Sequence, residues 1–388
     1  MKKRIAVLGA TGSIGKSTID ILRQGRDDFE VVLLSAHENI RGLLALLREF
    51  PTARLALSGS VPPEGTVRTE VAYYGARALL TAIAESGAEV VVNGIAGAAG
   101  LPPSLAALEA GADLALANKE TIVMAAPLVF SLAERKKKRI LPVDSEHSAV
   151  FKLMEAHGKA GLDRILLTAS GGPFRTFPVE QLQTITPQEA LAHPTWNMGP
   201  KITVDSATLA NKGLEVIEAA GLFGLKPEQI SVVIHPQSVV HSMVVLRDGG
   251  VYAQMSKPDM RLPIHSALYW PECRPCSFGA LSFDGLTLEF DKPDYEKFPL
   301  LPLAYDAVRA GGLYPAVYNA ANEAAVAAFL LKKIGFLDIS AVVEYVFKED
   351  WKNPVSSGTL PDLETILEAD KQARERALNY INGMMEKK

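Results

Sequence analysis

The chain reads as an α/β protein in three parts: a parallel-sheet α/β domain, a second α/β domain, and an α-helical domain at the end. Three observations carry this. Short β-rich apolar runs alternate with helical stretches through residues 1–145, the pattern of a parallel sheet with crossover helices. A second group of strands surrounds one helix, and beyond a proline-dense stretch only helical periodicity remains. The length of 388 residues also exceeds what one ordinary core accommodates.

In order, strands are expected at 4–8, 31–35, 90–93, 113–117 and 139–143, with the first helix at 14–23. The second group places strands at 164–168, 231–235, 239–246 and 251–255 around a helix over 207–220. Pro271, Pro275, Pro293, Pro299 and Pro302 mark a linker crossing the surface, and helices follow at 303–310, 316–333, 339–347 and 363–384. The expected division is a nucleotide-binding domain at 1–145, a catalytic domain at 146–275, a linker at 276–302 and a helical domain at 303–388.

A hydrophobic content of 48% with 22% charged residues buries enough apolar surface to offset chain entropy and excludes wholesale disorder. A formal net charge of −4 gives no global field to hold a nucleic acid. No apolar run reaches the roughly 18 residues that span a bilayer, so neither nucleic acid nor membrane is expected as a partner. Met1-Lys2-Lys3-Arg4 followed by an apolar run opens like a secretory signal, but Gly9, Gly12 and Gly15 cut the run short. Cys273 and Cys276 are the only cysteines, too few for a disulfide framework, and cytoplasmic location is expected. Their spacing is half a zinc signature without its other half, and the basic run 135–139 reads as a solvated helix end.

The sharpest local signal is Gly9-Ala10-Thr11-Gly12-Ser13-Ile14-Gly15 between a strand and a helix. Glycines allow the tight turn and let a pyrophosphate approach the unpaired N–H groups of the helix start. The first domain is therefore expected to be a Rossmann-like dinucleotide-binding domain. Where an NAD site places a carboxylate on the ribose, this chain has Ser35, which leaves room for a 2′-phosphate and favours NADP. Glu38 opposes that choice and Arg41 is available to compensate.

Asp144-Ser145-Glu146 follows the strand at 139–143, and in an extended segment residues i and i+2 project to one side. Two such carboxylates suit Mg²⁺ or Mn²⁺, while the plain reading is a polar loop capping the next helix. In the run from Asp205 to Glu215, a helix begun at Asp205 or Ser206 puts Asn211, Glu215 and Glu218 on or near one face with Lys212 beside them. That face reads equally as a solvated surface or as a phosphate and metal site. Ser170-Gly171-Gly172-Pro173 is a common turn that also forms an anion nest. His193-Pro194-Thr195-Trp196-Asn197-Met198-Gly199-Pro200 reads as a lid or as a docked surface loop, and His235 and His241 lie on or beside strands where histidine is commonly structural.

Taken in order, these segments together with Asn118-Lys119-Glu120 resemble the 1-deoxy-D-xylulose 5-phosphate reductoisomerase family along essentially the whole chain. The resemblance implies conversion of 1-deoxy-D-xylulose 5-phosphate to 2-C-methyl-D-erythritol 4-phosphate in non-mevalonate isoprenoid synthesis, with NADPH and Mg²⁺ or Mn²⁺. The rearrangement would be a retro-aldol and aldol sequence or an α-ketol shift, followed by hydride transfer. It further implies Asp144, Glu146 and Glu215 as metal ligands, and Lys119, Asp144 and Glu146 as catalytic residues. Lys119, Ser145, Glu146, Ser170, His193, Trp196, Met198, Ser206, Asn211, Lys212 and Glu215 would contact substrate, Trp196 and Met198 from a mobile flap, with His241 nearby. Thr11, Gly12, Ser13, Ile14, Asn39, Asn118, Glu120 and Gly199 would contact the cofactor. A homodimer is implied. The family commonly carries a basic residue within 35–39, where this chain has His37-Glu38. Against this stand a dehydrogenase of the aspartate-semialdehyde type, which needs a cysteine nucleophile, and a silent NADP-binding sensor, which needs no set of positioned carboxylates.

Overall fold

The computed structural model describes residues 1–59, 70–192, 195–196, 198–351 and 361–386. In chain order the elements are β1 (Lys3–Leu8), α1 (Ser13–Gln24), β2 (Phe29–Ala36), α2 (Ile40–Glu49), β3 (Arg54–Leu57), β4 (Val71–Tyr74), α3 (Ala76–Glu85), β5 (Val90–Asn93), α4 (Leu101–Glu109), β6 (Asp113–Leu116), α5 (Lys119–Lys136), β7 (Ile140–Pro142) and α6 (Ser145–His157). There follow β8 (Leu162–Ala169), α7 (Pro187–Ala190), α8 (Pro200–Ala207), α9 (Ala210–Phe223), β9 (Ile230–Ile234), β10 (Val240–Leu246), β11 (Val251–Met255) and α10 (Arg261–Tyr269). The chain closes with α11 (Leu300–Ala310), α12 (Tyr314–Leu330), α13 (Asp338–Phe347) and α14 (Leu363–Met385). No helix among the described residues is long and apolar enough to cross a membrane.

The chain divides into two compact units, the first made of Met1–Thr121, Val129–Ser148 and Asp259–Gly279. Its sheet has seven strands in the order β4-β3-β2-β1-β5-β6-β7, every neighbouring pair parallel. The central strands are apolar runs because helices cover both faces of such a sheet, and Ile5, Ala6, Val7 and Leu8 of β1 are all fully buried. Sequence order reverses between β1 and β5. At that reversal the carboxyl ends of neighbouring strands lead away to opposite faces and leave a crevice for a ligand. β3 and β4, four residues each, were not anticipated.

The second unit comprises Ile122–Leu128, Ala149–Pro258 and Ala280–Lys388. Its sheet has four strands in the order β11-β10-β8-β9, parallel between β8 and β9 and antiparallel elsewhere. Ile165, Leu167, Val232 and Val244 of the sheet pack with Val216, Ala219 and Phe223 of α9. The opposite side of α9 sends Leu214 and Ile217 into the core of α11 to α14, with Phe329, Val342 and Ile381. Both faces of α9 are therefore occupied, each large apolar side chain contributing about 1.5–3 kcal/mol.

The helix expected over 207–220 is α9, which runs three residues later at each end, and a separate helix precedes it. α8 ends at Ala207, Leu209 takes a left-handed conformation (φ 57°), and α9 begins at Ala210. Left-handed backbone costs a non-glycine residue about 1–2 kcal/mol, and here the Leu209 side chain is 3% exposed within the sheet core. Thr208 supports the break by donating its hydroxyl to the Val204 and Asp205 carbonyls at 3.2 Å and accepting the Ala210 N–H at 3.3 Å. Ser206 therefore lies in the last turn of a helix and does not start one.

Candidate active site

In the first unit, the turn after β1 is shaped by what glycine omits. Gly9 has φ +75°, and a Cβ at Gly15 would lie 2.2 Å from the Gly9 carbonyl oxygen. α1 therefore starts directly against the turn, with Gly12 at its N-cap and no side chain capping it. The first N–H groups of a helix have no partner within it; here Gly12 and Ser13 are exposed, and Thr11 and Ile14 half-buried. Gly42 in the first turn of α2 stands where a Cβ would touch both Thr11 and Asn39, at 2.8 Å each, so these two cofactor candidates are neighbours. Asn39 caps α2 by accepting the Gly42 N–H at 2.9 Å.

Ser35 does not stand where the sequence suggested. It is 1% exposed, its hydroxyl accepts the Gly9 N–H at 3.3 Å, and its carbonyl accepts the Ala10 N–H at 2.7 Å. Strand β2 runs one residue further than expected, to Ala36. Ser35 is consequently tucked under the glycine turn, and the residues available to a ribose are His37, Glu38 and Asn39. Glu38 is exposed, with a carboxylate oxygen 3.8 Å from the His37 ring.

Beyond β6, Asn118 caps α5: its amide oxygen accepts the Thr121 N–H at 3.0 Å and the Thr121 hydroxyl at 2.6 Å. Its amide nitrogen donates to the Ile95 and Gly97 carbonyls at 2.8 and 2.9 Å and to Glu120 at 2.8 Å. Gly100 exists to make room for that side chain, since a Cβ there would lie 2.4 Å from it. The next residue, Lys119, is 5% exposed and donates to the Asp144 carboxylate at 2.9 Å.

Asp144 is the hub of this cluster. One of its oxygens takes Lys119; the other accepts the Glu146 N–H at 3.2 Å and lies 3.3 Å from Nδ1 of His147. The Ser145 hydroxyl donates to Glu146 at 2.5 Å. The segment is the first turn of α6, not extended chain, yet oxygens of Asp144 and Glu146 do converge, within 4.8 Å, and the capping bond expected from the plain reading is present as well. His147, fully buried, was missed. Its signal was available: three residues after Asp144 at a helix start, it falls on the same side of the turn.

In the second unit, the turn after β8 carries Ser170 with Gly171 (φ +83°) and Gly172 (φ +70°). Two successive positive φ angles differ from the alternating hands of an anion nest, and Gly172 N–H donates to the Ser170 hydroxyl at 3.3 Å. A Cβ at Gly172 would lie 2.6 Å from the Ser206 carbonyl oxygen. The turn and the end of α8 are thus in backbone contact, which joins Ser170 to Ser206. In the first two turns of α9, Asn211 donates to one oxygen of Glu215 at 2.5 Å, and Lys212 forms a short ion pair with the other. Lys212 is 3% and Glu215 1% exposed, and Glu218 is buried on the same helix. This is a charged interior, not the solvated helix face that was its alternative.

Trp196 and Met198 are half-buried and Gly199 exposed in the segment that leads into α8. His193, Pro194 and Asn197 lie outside the described residues. His241 bonds the Ser256 hydroxyl at 2.8 Å. His235 is a structural histidine: it meets the Glu289 carbonyl at 2.9 Å, takes the Val239 and Val240 N–H groups, and stacks on Phe290.

Comparison with known proteins covers nearly all of this ground. Residues 5–126 match the family model for 1-deoxy-D-xylulose 5-phosphate reductoisomerase, 140–223 that family's C-terminal domain, and 255–376 the DXP reductoisomerase C-terminal domain. Reductoisomerases of Chlorobium chlorochromatii and Chlorobaculum tepidum are each 48% identical, over 98% of this chain and the whole of theirs. The Zymomonas mobilis enzyme solved in complex with NADPH superposes with a TM-score of 0.88 at 40% identity, covering 98% of this chain and 99% of that one. A DOX-P reductoisomerase solved with NADPH, fosmidomycin and magnesium gives 0.88 at 38% identity, covering 98% of each chain. With identity near one half sustained from end to end, the chain belongs to the 1-deoxy-D-xylulose 5-phosphate reductoisomerase family.

Proposed function

We propose that this chain converts 1-deoxy-D-xylulose 5-phosphate to 2-C-methyl-D-erythritol 4-phosphate, using NADPH and a divalent cation, Mg²⁺ or Mn²⁺. The observation that carries this reading is the 48% identity along the full chain to enzymes of that name. The residues present suit both groups. Gly15, where a Cβ would lie 2.2 Å from the Gly9 carbonyl oxygen, lets α1 start directly against the glycine turn, an uncapped helix start of the kind a pyrophosphate takes. Asp144, Glu146 and Glu215 are hard oxygen donors of the kind these cations take. A cation held by them supplies Lewis acidity toward the substrate's carbonyl and hydroxyl oxygens.

The chain's own residues do the rest. Thr11, Gly12, Ser13 and Ile14 take the cofactor's phosphates, and Asn39, Asn118, Glu120 and Gly199 its remaining groups. Ser170, Ser206, Asn211 and Lys212, with His193, hold the substrate phosphate, so that binding energy remote from the reacting carbons fixes their position. Lys119, paired with Asp144 at 2.9 Å, presents Nζ as proton donor to a developing oxyanion, and Ser145 and Glu146 orient the hydroxyls. Trp196 and Met198 close over the substrate and exclude water. The expected division, with the cofactor at 1–145, catalysis at 146–275, a linker at 276–302 and a helical domain at 303–388, needs two changes: residues 259–279 pack with the first unit, and the closing helices pack in the second unit with the four-stranded sheet. The same reading makes it a cytoplasmic homodimer, the location supported by two unbridged cysteines and the assembly by the resemblance alone. The test is NADPH consumption followed by absorbance, with the ketose phosphate and Mg²⁺ each omitted in turn. Oxidation that needs both supports the reading. Oxidation without the ketose phosphate, or undiminished in excess chelator, overturns it.

A further inference from the structure

Beneath Ser206 runs a line of buried charges that the reaction does not use. Asp205 is fully buried. Lys201, one turn earlier in α8, pairs with it at 2.7 Å, and Asn322 of α12 donates to its other oxygen at 2.8 Å. On α12, Asn319 donates to Glu323 at 3.0 Å, and Glu323 takes the guanidinium of Arg374 from α14 at 2.7 Å. Arg374 also bonds both oxygens of Asp370, at 2.7 and 2.9 Å. Burial by itself would push the Glu323 carboxyl up, but the Lys201 and Arg374 charges outweigh it and hold it below the usual carboxylate range.

The helix that carries this line is rich in small residues: Ala316, Ala320, Ala321, Ala324, Ala325 and Ala328 are buried beside the larger Val317, Tyr318, Val326 and Phe329. Where alanine ridges form the contact they are shallow, and polar pairs add to the larger side chains in resisting sliding there. Ion pairs in a core add little stability against apolar replacements, and their best-attested use is to fix register. α12 also seats α9, because a Cβ at Gly213 would lie 2.7 Å from the Tyr318 hydroxyl.

We propose that Asp205, held by Lys201 and Asn322, is a positioning residue for the substrate phosphate, locking α8 to α12 and thereby setting where Ser206 stands. The proposal rests on the reading above that Ser206, Asn211 and Lys212 bind that phosphate. The Ser170 turn sits on the Ser206 carbonyl through Gly172, so a shift of the end of α8 displaces both hydroxyls together. Displacements of about 1 Å cost up to a hundredfold in positioned chemistry.

The experiment compares Asp205→Asn, the apolar triple Lys201→Met/Asp205→Leu/Asn322→Leu, and Ser206→Ala with the wild type. Dissociation constants for 1-deoxy-D-xylulose 5-phosphate, inorganic phosphate and NADPH are measured by calorimetry, beside melting temperature. Asp205→Asn is expected to weaken both phosphates about tenfold and to leave NADPH within about twofold. The triple variant is expected to melt at or above the wild type and to bind phosphate as weakly as Asp205→Asn. If Asp205→Asn does not fold, the triple variant decides alone. Wild-type phosphate affinity in the variants that fold, with Ser206→Ala impaired, overturns the positioning role and leaves the phosphate site standing. Unchanged affinity in Ser206→Ala overturns the phosphate site, and the proposal with it.

Discussion

Glu38 lies in the turn after β2 with a carboxylate 77% exposed, and with Ser35 buried it and the exposed Arg41 are charged groups available to discriminate cofactors there. A carboxylate near a 2′-phosphate repels it, but charges on an exposed rim are screened beyond roughly 8 Å at physiological salt. Glu38→Lys is therefore expected to tighten NADPH modestly, by about threefold, with NADH unchanged in a fluorescence titration; an unaltered ratio removes the residue from recognition. Asp144→Asn keeps its Glu146 capping bond but weakens its hold on Lys119 and on a cation. Turnover should fall more than about a hundredfold with the circular dichroism spectrum retained, and a smaller loss would take Asp144 out of the centre. Lys212→Ala is less clean than its sequence position suggests. It strands the buried Glu215 carboxylate, so a stability loss of about 3–5 kcal/mol should accompany the rise in KM, and Asn211→Ala is the better test of phosphate binding. That Lys212 and Asn211 attend Glu215 was legible from i, i+3 and i, i+4 spacing. That Ser35 binds Gly9 was not, because the bond joins residues 35 and 9 across two strands.

Elements show the same division. The helices at 303–310, 339–347 and 363–384 were legible from periodicity and fall within one to three residues of α11, α13 and α14. The break at Leu209 was not, since Ala207, Thr208, Leu209 and Ala210 continue a helix acceptably and only the sheet core pulls Leu209 out of it. The segment leading into α8 carries a lid prediction: of the tryptophans at 196, 270 and 351, Trp351 is already buried, its ring N–H on the Val346 carbonyl at 2.8 Å and Arg376 across its face. Acrylamide quenching should fall when a phosphonate hydroxamate binds, and the change should vanish in Trp196→Phe; equal protection in both proteins would mean that another element closes the site. At the end of α10, the Tyr269 hydroxyl donates to Asp28 at 2.7 Å, and desolvation, then the Asp28 hydrogen bond and charge, push its pKa from 10 up to about 12. A raised folded-state pKa means that this docking contact is intact below the unfolded value of 10 and is lost as pH rises through about 12. Tyr269→Phe should flatten the decline in melting temperature over that window, and an unchanged alkaline slope would place the loss elsewhere.

For the molecule as a whole, any ligand that binds only the folded state raises stability by mass action, about 2.7 kcal/mol at a hundred times its dissociation constant. NADPH should accordingly raise the melting temperature of the wild type by several degrees. Gly15→Ala should abolish that rise while lowering the unliganded melting temperature, because overpacking costs about 1–3 kcal/mol and the added carbon drives the helix start away from the backbone of Gly9 and Ala10. A retained shift would show that the cofactor does not use this turn. By itself the sequence determined the α/β class, the order of sheets and helices, the glycine turn and the polar segments from which the site is built. Those depend on side-chain periodicity and on backbone sterics that neighbours in the chain impose on one another. Only the tertiary structure decided that Ser35 faces inward, that Asp144 binds Lys119 and His147 within one cluster, that α8 and α9 are separate helices, and that Asp205 is pinned by Asn322 from 117 residues away. A buried polar group must find a partner somewhere, and which one it finds is set by how distant elements pack, a choice that local pattern does not encode.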